Sequence, residues 1–203
     1  MITAIAEWLQ NLIVTIGPIG LAIATCVESF FAPIPSEIIL LTAGTVTESY
    51  PEVLLYALFA SIGSYIGTLP FYFIGHKSRD FVFSFFSKYG VYFFITTDDI
   101  EMAESKFEKY GTPIIFFGRL IPIIRSLISI PAGITRMDLK RYSIYTLAGS
   151  LLWNLLLISC GFYSQGALEQ ILIILDDYEK LVLALGVVAV IVYIIIGYRR
   201  NKK

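Results

Sequence analysis

Four side chains stand where charge is expensive. Arg119 and Arg125 lie inside the apolar run from Phe116 to Met137, and Glu28 and Glu37 flank Ser-Phe-Phe-Ala-Pro-Ile-Pro-Ser, itself embedded in apolar sequence. A charge at the centre of a membrane-spanning helix costs ~2.5–3.5 kcal/mol on insertion scales. Such residues therefore ask for a chemical reason. A guanidinium stays cationic at any physiological pH and offers a planar fork that matches phosphate oxygens. Arg119 and Arg125 are the candidates for holding an anion, with Ser36, Ser126 and Ser129 as hydroxyl donors beside them. Glu28 and Glu37 are the candidates for carrying a proton. Two alternatives stand next to this reading: the arginines pair with the two carboxylates, and the serines satisfy backbone carbonyls freed by nearby prolines. Carboxylates that occupy the arginines until a phosphate displaces them would reconcile both.

The elements that must position these residues are those of a membrane protein. Of 203 residues, 57% are hydrophobic and 15% charged, and the mean hydropathy is +0.76. That composition excludes an ordinary soluble domain. The net charge of −1 comes without a basic block suited to nucleic acid. Cys26 and Cys160 sit apart in apolar runs, away from the single histidine, His76, so they read as buried free thiols with neither metal nor disulfide role. No cofactor is expected, and no phosphate-cradling Gly-x4-Gly-Lys-Ser/Thr loop is present, which argues against nucleotide hydrolysis.

Four stretches are long enough to cross ~30 Å of hydrocarbon: residues 5–27, 53–75, 142–162 and 181–198. The first lacks a basic n-region and reads as a retained helix that Gly17-Pro18 bends. Gly63 and Gly67 in the second suit close helix approach, and Pro70 is expected to kink it. Between the spans lie two proline-broken stretches, 28–47 and 112–135, each carrying its charged pair. Pro33 and Pro35 in one, and Pro113, Pro122 and Pro131 in the other, forbid regular helix by removing donors and restricting the preceding residue. Irregular backbone at membrane depth survives only where protein or water satisfies it, so each stretch reads as a re-entrant hairpin lining a polar cavity. Residues 76–111 change character: Phe81, Val82, Phe85, Phe86 and Tyr89 share one helical face, as in a helix lying in the interface plane, and a polar helix follows, capped near Thr97. Trp153 reads as packing, Asn154 as a polar member of the cavity, and Arg136 with Lys140-Arg141 as interfacial anchors.

Charge fixes the expected orientation. With both termini cytoplasmic, the inner segments hold Lys77, Arg79, Lys88, Lys106, Lys109, Arg136, Lys140, Arg141 and the basic tail. The outer ones hold Lys180 against Glu48, Glu52, Glu169, Asp176, Asp177 and Glu179, in line with the positive-inside rule. The two broken stretches also echo one another. Pro33 precedes Ala43-Gly44 at the spacing by which Pro122 precedes Ala132-Gly133, and Gly63-Ser64 is answered by Gly149-Ser150. Under this topology the two hairpins enter from opposite sides, an inverted repeat of the kind that sets a transport site near the midplane. The fold class is thus an all-α integral membrane protein of one domain, residues 1–203, with four transmembrane helices, two oppositely oriented re-entrant hairpins and an amphipathic interfacial helix.

The motifs Glu28-x4-Pro33-Ile-Pro35-Ser-Glu37 and Phe117-Gly-Arg119-x2-Pro122-x2-Arg125-Ser-x2-Ser129-x-Pro131-Ala-Gly133-x3-Met137, followed by Gly149-Ser150-x2-Trp153, resemble the DedA family, also called the VTT or SNARE-associated family. The resemblance runs over nearly the whole chain. It implies paired re-entrant hairpins and a plasma-membrane flippase that moves undecaprenyl phosphate or a related anionic phospholipid between leaflets without ATP, coupled to the proton motive force. Its partners would be membrane lipids and an anionic lipid phosphate, with a homo-oligomer left open. Some relatives carry an acidic residue where this chain has Thr68, so proton coupling here would rest on Glu28 and Glu37. The competing function is a proton- or cation-coupled transporter of a small solute. An enzyme is not expected, since no histidine or paired Asp cluster lies at membrane depth.

Overall fold

The computed structural model describes residues 11–30, 36–89, 97–122 and 124–164, together with 180–181, 184–188, 191–192 and 195 near the C-terminus. These residues are helical or in short turns, with no strand among them. The helices are α1 (Pro18–Phe30), α2 (Ser36–Thr45), α3 (Tyr50–Tyr89), α4 (Thr97–Gly118), α5 (Ile124–Leu127), α6 (Ser129–Ile134) and α7 (Leu139–Tyr163). Two helical stretches among the described residues are long and apolar enough to cross a membrane, Tyr50–Phe81 and Leu139–Tyr163.

The sorting of side chains is inside-out relative to a soluble protein. On α3 the exposed positions include Leu55, Leu58, Ile62, Ile66 and Phe73, a stripe at helical spacing, while Ser61, Ser64 and Thr68 are buried. On α7, Ile144, Leu152 and Leu156 face outward while Thr146, Ser150 and Asn154 are buried. Water would penalise such an exposed apolar surface; hydrocarbon accepts it, and the polar groups then turn inward to find partners. Several find them in the helix backbone itself: Ser61 Oγ donates to the Ala57 carbonyl (2.6 Å) and Thr25 Oγ1 lies 3.0 Å from the Ala60 carbonyl across the α1–α3 contact.

Glycine contacts set the arrangement. Added Cβ atoms at Gly63 and Gly67 would strike the backbone of α1 at Ala22 and Cys26, and one at Gly149 would meet the Phe116 carbonyl of α4 at 2.7 Å. Each long helix thus presses on an earlier helix of its own half of the chain, α3 on α1 and α7 on α4. A second pair of contacts crosses between the halves. Gly44 of α2 lies on Ile158 and Gly161 of α7; Gly133 of α6 lies on Tyr72 and Gly75 of α3. The reciprocal positions agree, because Gly161 meets Leu41 and Gly44 while Gly75 meets Ile130 and Gly133. The Ala-Gly echo of the sequence is therefore also an echo of packing. Gly75→Ala and Gly161→Ala are each expected to destabilise the fold by ~1–3 kcal/mol through overpacking against a carbonyl, read as a lower melting temperature in detergent. Unchanged melting would mean that these helices have room to part.

Several sequence boundaries need correction. Residues 5–27 do not form one helix: residues 11–16 are helical, Gly17 takes a left-handed φ of +65°, and α1 restarts at Pro18. The backbone of Gly20 then packs on that of Leu12, a sharper turn than a bend, made possible by a glycine that pays no Cβ penalty. The break placed at 75–76 is absent, since α3 runs unbroken through Pro70 and His76 to Tyr89. The change there from apolar to charged residues carries no helix stop. Likewise the boundary at 112 falls inside α4, which continues through Pro113 to Gly118; proline is tolerated within membrane helices where neighbours re-satisfy the freed carbonyl. The chain breaks later, at Arg119–Pro122. Pro131 sits in the first turn of α6, where a missing N–H costs nothing. The α7 bounds cover the expected 142–162, with the Asp138 side chain capping α7 by accepting from the Arg141 N–H (3.0 Å). Cys26 and Cys160 are free thiols but half-buried rather than buried. Pro33, Pro35 and half of 181–198 lie outside the described residues, as do the side chains of Val82, Phe85, Phe86 and Tyr89.

Candidate functional site

Arg119 is the first residue after α4, where its N–H still bonds the Ile115 carbonyl (3.1 Å). Gly149 lets α7 approach so closely that a Cβ there would lie 2.9 Å from the Cβ of Arg119. This contact fixes where the guanidinium begins. Arg119 is 2% exposed. Its Nη2 donates toward three hydroxyls, Thr68 Oγ1 at 2.8 Å, Ser129 Oγ at 3.3 Å and Tyr142 OH at 3.3 Å. The hydroxyls also bond each other, with Tyr142 OH at 2.9 Å from Ser129 Oγ and 3.2 Å from Thr68 Oγ1. Thr68 passes its own proton to the Ser64 carbonyl (3.0 Å) within α3. The Tyr142 ring stacks on Tyr72, centroids 4.6 Å apart, and Tyr72 OH donates to the Met137 carbonyl.

Arg125, on α5, is bonded differently. Its Nη2 forms a short ion pair with Glu28 Oε1 of α1, and both residues are buried. Arg119 thus meets neutral partners among the described residues, whereas Arg125 meets a carboxylate. Two buried polar atoms near this centre have no partner there, Arg119 Nε and Glu28 Oε2. Buried donors and acceptors are normally satisfied, and an exception calls for explanation.

Of the sequence candidates, Arg119 and Ser129 are joined directly, and Arg125 joins Glu28. Glu37 is buried on α2 and Ser126 is half-buried on α5. Ser36 opens α2, with its side chain outside the described set. Asn154 is buried but bonds Ser61 Oγ (3.1 Å) on α3, away from the arginines' own partners. Sequence reasoning missed Tyr142 and the role of Thr68. Tyr142 follows a basic pair at a helix start, the pattern of an interfacial aromatic, and nothing in its spacing marked it as a buried hydroxyl.

A bundle that turns apolar side chains outward and encloses two arginines, two carboxylates and a group of hydroxyls is that of a helical membrane protein with an internal polar site. Residues 34–163 match the VTT domain, and the chain belongs to that family, the DedA family. It is 39% identical over 182 residues to an alkaline phosphatase-like protein of Lactococcus lactis subsp. cremoris, covering 86% of this chain and 84% of that one. It is 31% identical over 191 residues to undecaprenyl phosphate transporter A of Staphylococcus aureus, covering 92% and 94%. The protein of the same name from Bacillus subtilis is 32% identical over 201 residues, covering 98% and 96%. No solved structure matches the chain.

Proposed function

We propose that this protein is a flippase for an anionic lipid phosphate, with Arg119 as the residue that receives the phosphate. The observation that carries the reading is the bonding of Arg119. A buried guanidinium surrounded by hydroxyls, with Nε unpartnered, is an incomplete site, since buried charge is stable only when paired and fully bonded. A phosphate oxygen supplies both the missing charge and the missing acceptor. Ser129, Thr68 and Tyr142 donate to the same anion once their mutual bonds are exchanged, and Ser36 and Ser126 extend the donor set. The lipid tails stay in the bilayer. The names of two relatives favour undecaprenyl phosphate as the lipid.

The topology that suits this role keeps the two proline-broken stretches, the one that follows α1 and the one that follows α4, as re-entrant hairpins in an inverted repeat, both termini cytoplasmic, in the plasma membrane. The matched glycine contacts of the two halves support the repeat. Transport rather than hydrolysis is the reading favoured by the names of two relatives, the undecaprenyl phosphate transporters A of Staphylococcus aureus and Bacillus subtilis. Glu28 and Glu37 supply the proton coupling. The unpartnered Glu28 Oε2 also favours the second reading, a proton-coupled transporter of a small solute.

One set of proteoliposomes separates the two. Labelled undecaprenyl phosphate loaded in the inner leaflet is expected to become accessible from outside in the presence of protein, faster when a proton gradient is imposed. Gradient-driven uptake of solute with no change in headgroup accessibility would overturn the flippase reading.

A further inference from the structure

A second arginine cluster lies outside the Arg119 site and is used by neither the fold nor the mechanism above. Where α6 ends, the chain makes a Schellman turn: Met137 N–H bonds the Ala132 carbonyl (3.1 Å) and Arg136 N–H bonds the Gly133 carbonyl (2.9 Å). The residue at the centre of that turn is left-handed and is usually glycine. Here it is Arg136, with φ +50°. A side chain in that conformation costs ~1–2 kcal/mol, and the turn itself gains nothing from a guanidinium.

What the guanidinium gains is a place in a cavity of about 340 Å³, lined by Thr112, Thr135, Arg136 and Arg141, with Glu108 and Asp138. That volume lies in the range of small-ligand sites, ~300–1,000 Å³. The cations are loosely held. Arg136 has one distant ion pair, to Asp80 at 3.8 Å, whose side chain is 82% exposed, and Arg141 has no ion pair among the described residues. Asp138, by contrast, is committed to the cap of α7. Two guanidinium groups, one of them with only a distant ion pair, and the Thr112 and Thr135 hydroxyls, the latter also bonded to the Pro131 carbonyl (2.9 Å), therefore face one committed carboxylate and Glu108. The cavity also touches the interior, because its Phe107 and Met137 pack in the same cluster as Tyr72 and Tyr142. Tyr72 holds the Met137 carbonyl, and Tyr142 holds Arg119.

We propose that this cavity is a second anion site, separate from Arg119, in which Arg136 and Arg141 bind the phosphate group of a ligand at the surface end of the tyrosine cluster. The ligand is either free phosphate or the headgroup of a phosphate-monoester lipid. Arg136 stands at a glycine position because its side chain is the recognition element.

Arg136→Gly makes an unusually clean test, since glycine is what the turn prefers. The full-length variant in detergent is expected to melt at a higher temperature than wild type and to bind phosphate on the order of tenfold more weakly or worse, the effect of losing a charged hydrogen-bond donor. The probes are inorganic phosphate followed by 31P line broadening, and dioctanoyl phosphatidic acid against dioctanoyl phosphatidylcholine followed by native mass spectrometry. Saturable binding of inorganic phosphate that Arg136→Gly removes supports the site with a free anion as its ligand. The same result with phosphatidic acid alone supports it with a lipid headgroup. With Arg119→Met as the background, which takes the first site out of play, saturable binding is expected to persist and Arg136→Gly is expected to remove it, so loss of transport and loss of surface binding are read apart. Wild-type affinity in Arg136→Gly, binding lost only in Arg119→Met, or no saturable binding of either probe to wild type would each overturn the proposal.

Discussion

Glu28→Ala is expected to destabilise the folded protein by about 3–5 kcal/mol, the cost of breaking a buried ion pair by removing one partner. Glu28 and Arg125 join α1 to α5 by a short ion pair, with their side chains only 5% and 10% exposed. Truncating the carboxylate strips Arg125 of that bond while leaving its charge in place. The α1–α3 interface, which rests on Gly63 and Gly67, would then be held without the tie between the two halves of the chain. Replacing both members by apolar residues of similar size, Glu28→Leu with Arg125→Met, is expected to recover most of the loss, because buried pairs seldom outperform apolar substitutes. Thermal unfolding of the two single variants and the double variant in detergent gives the coupling directly. Additive losses would show that the pair does not act as a unit. Transport should not return in the double variant if Glu28 carries the proton, so stability and function part company at this pair.

The two arginines were legible as anomalies because each charge violates the local apolar pattern, and a violation is visible without knowing its partner. The partners were not legible. Glu28 and Arg125 are 97 residues apart, and they meet because α1 packs on α3, which also takes α5 and α6. The sequence pattern treated Arg119 and Arg125 as equals, whereas one meets hydroxyls and the other a carboxylate. That difference arises from Tyr142 and Thr68, two residues whose types suit many environments. Thr68 is also the position at which the resemblance to the DedA family marks an acidic residue in some relatives. Its place beside Arg119 gives that substitution a physical meaning, since an acid there would compensate the guanidinium that here is met by hydroxyls.

The glycine echo was half legible. Ala43-Gly44 and Ala132-Gly133 stood out by their spacing from a proline, but their partners Gly161 and Gly75 lie inside long helices where nothing punctuates the pattern. The continuity of α3 was hidden for the opposite reason. The charged residues after His76 imitate a new element, although the helix runs through them to Tyr89. In both cases the sequence reports polarity more faithfully than it reports where hydrogen bonding stops.

Arg119→Met is expected to abolish lipid-phosphate transport and, in contrast to any variant of Glu28, to leave the protein as stable as wild type or more stable by about 1–4 kcal/mol, the range seen when buried ionic groups give way to apolar ones. The sign follows from what each deletion leaves behind. Removing Glu28 leaves a buried cation. Removing the Arg119 guanidinium leaves Thr68, Ser129 and Tyr142, which already bond one another and the α3 backbone, so no charge is stranded. It also removes Nε, a buried donor without a partner. Methionine fills much of the same volume with a flexible apolar chain, and Gly149 still accepts its Cβ. On the flippase reading proposed above, a guanidinium met by hydroxyls alone among its hydrogen-bond partners is kept because an anion completes the site in use. Flip rate and melting temperature measured on the same preparation test this together. A variant that melts well below wild type would mean that Arg119 is a structural tie like Arg125, and a variant that transports at the wild-type rate would move the phosphate elsewhere in the protein.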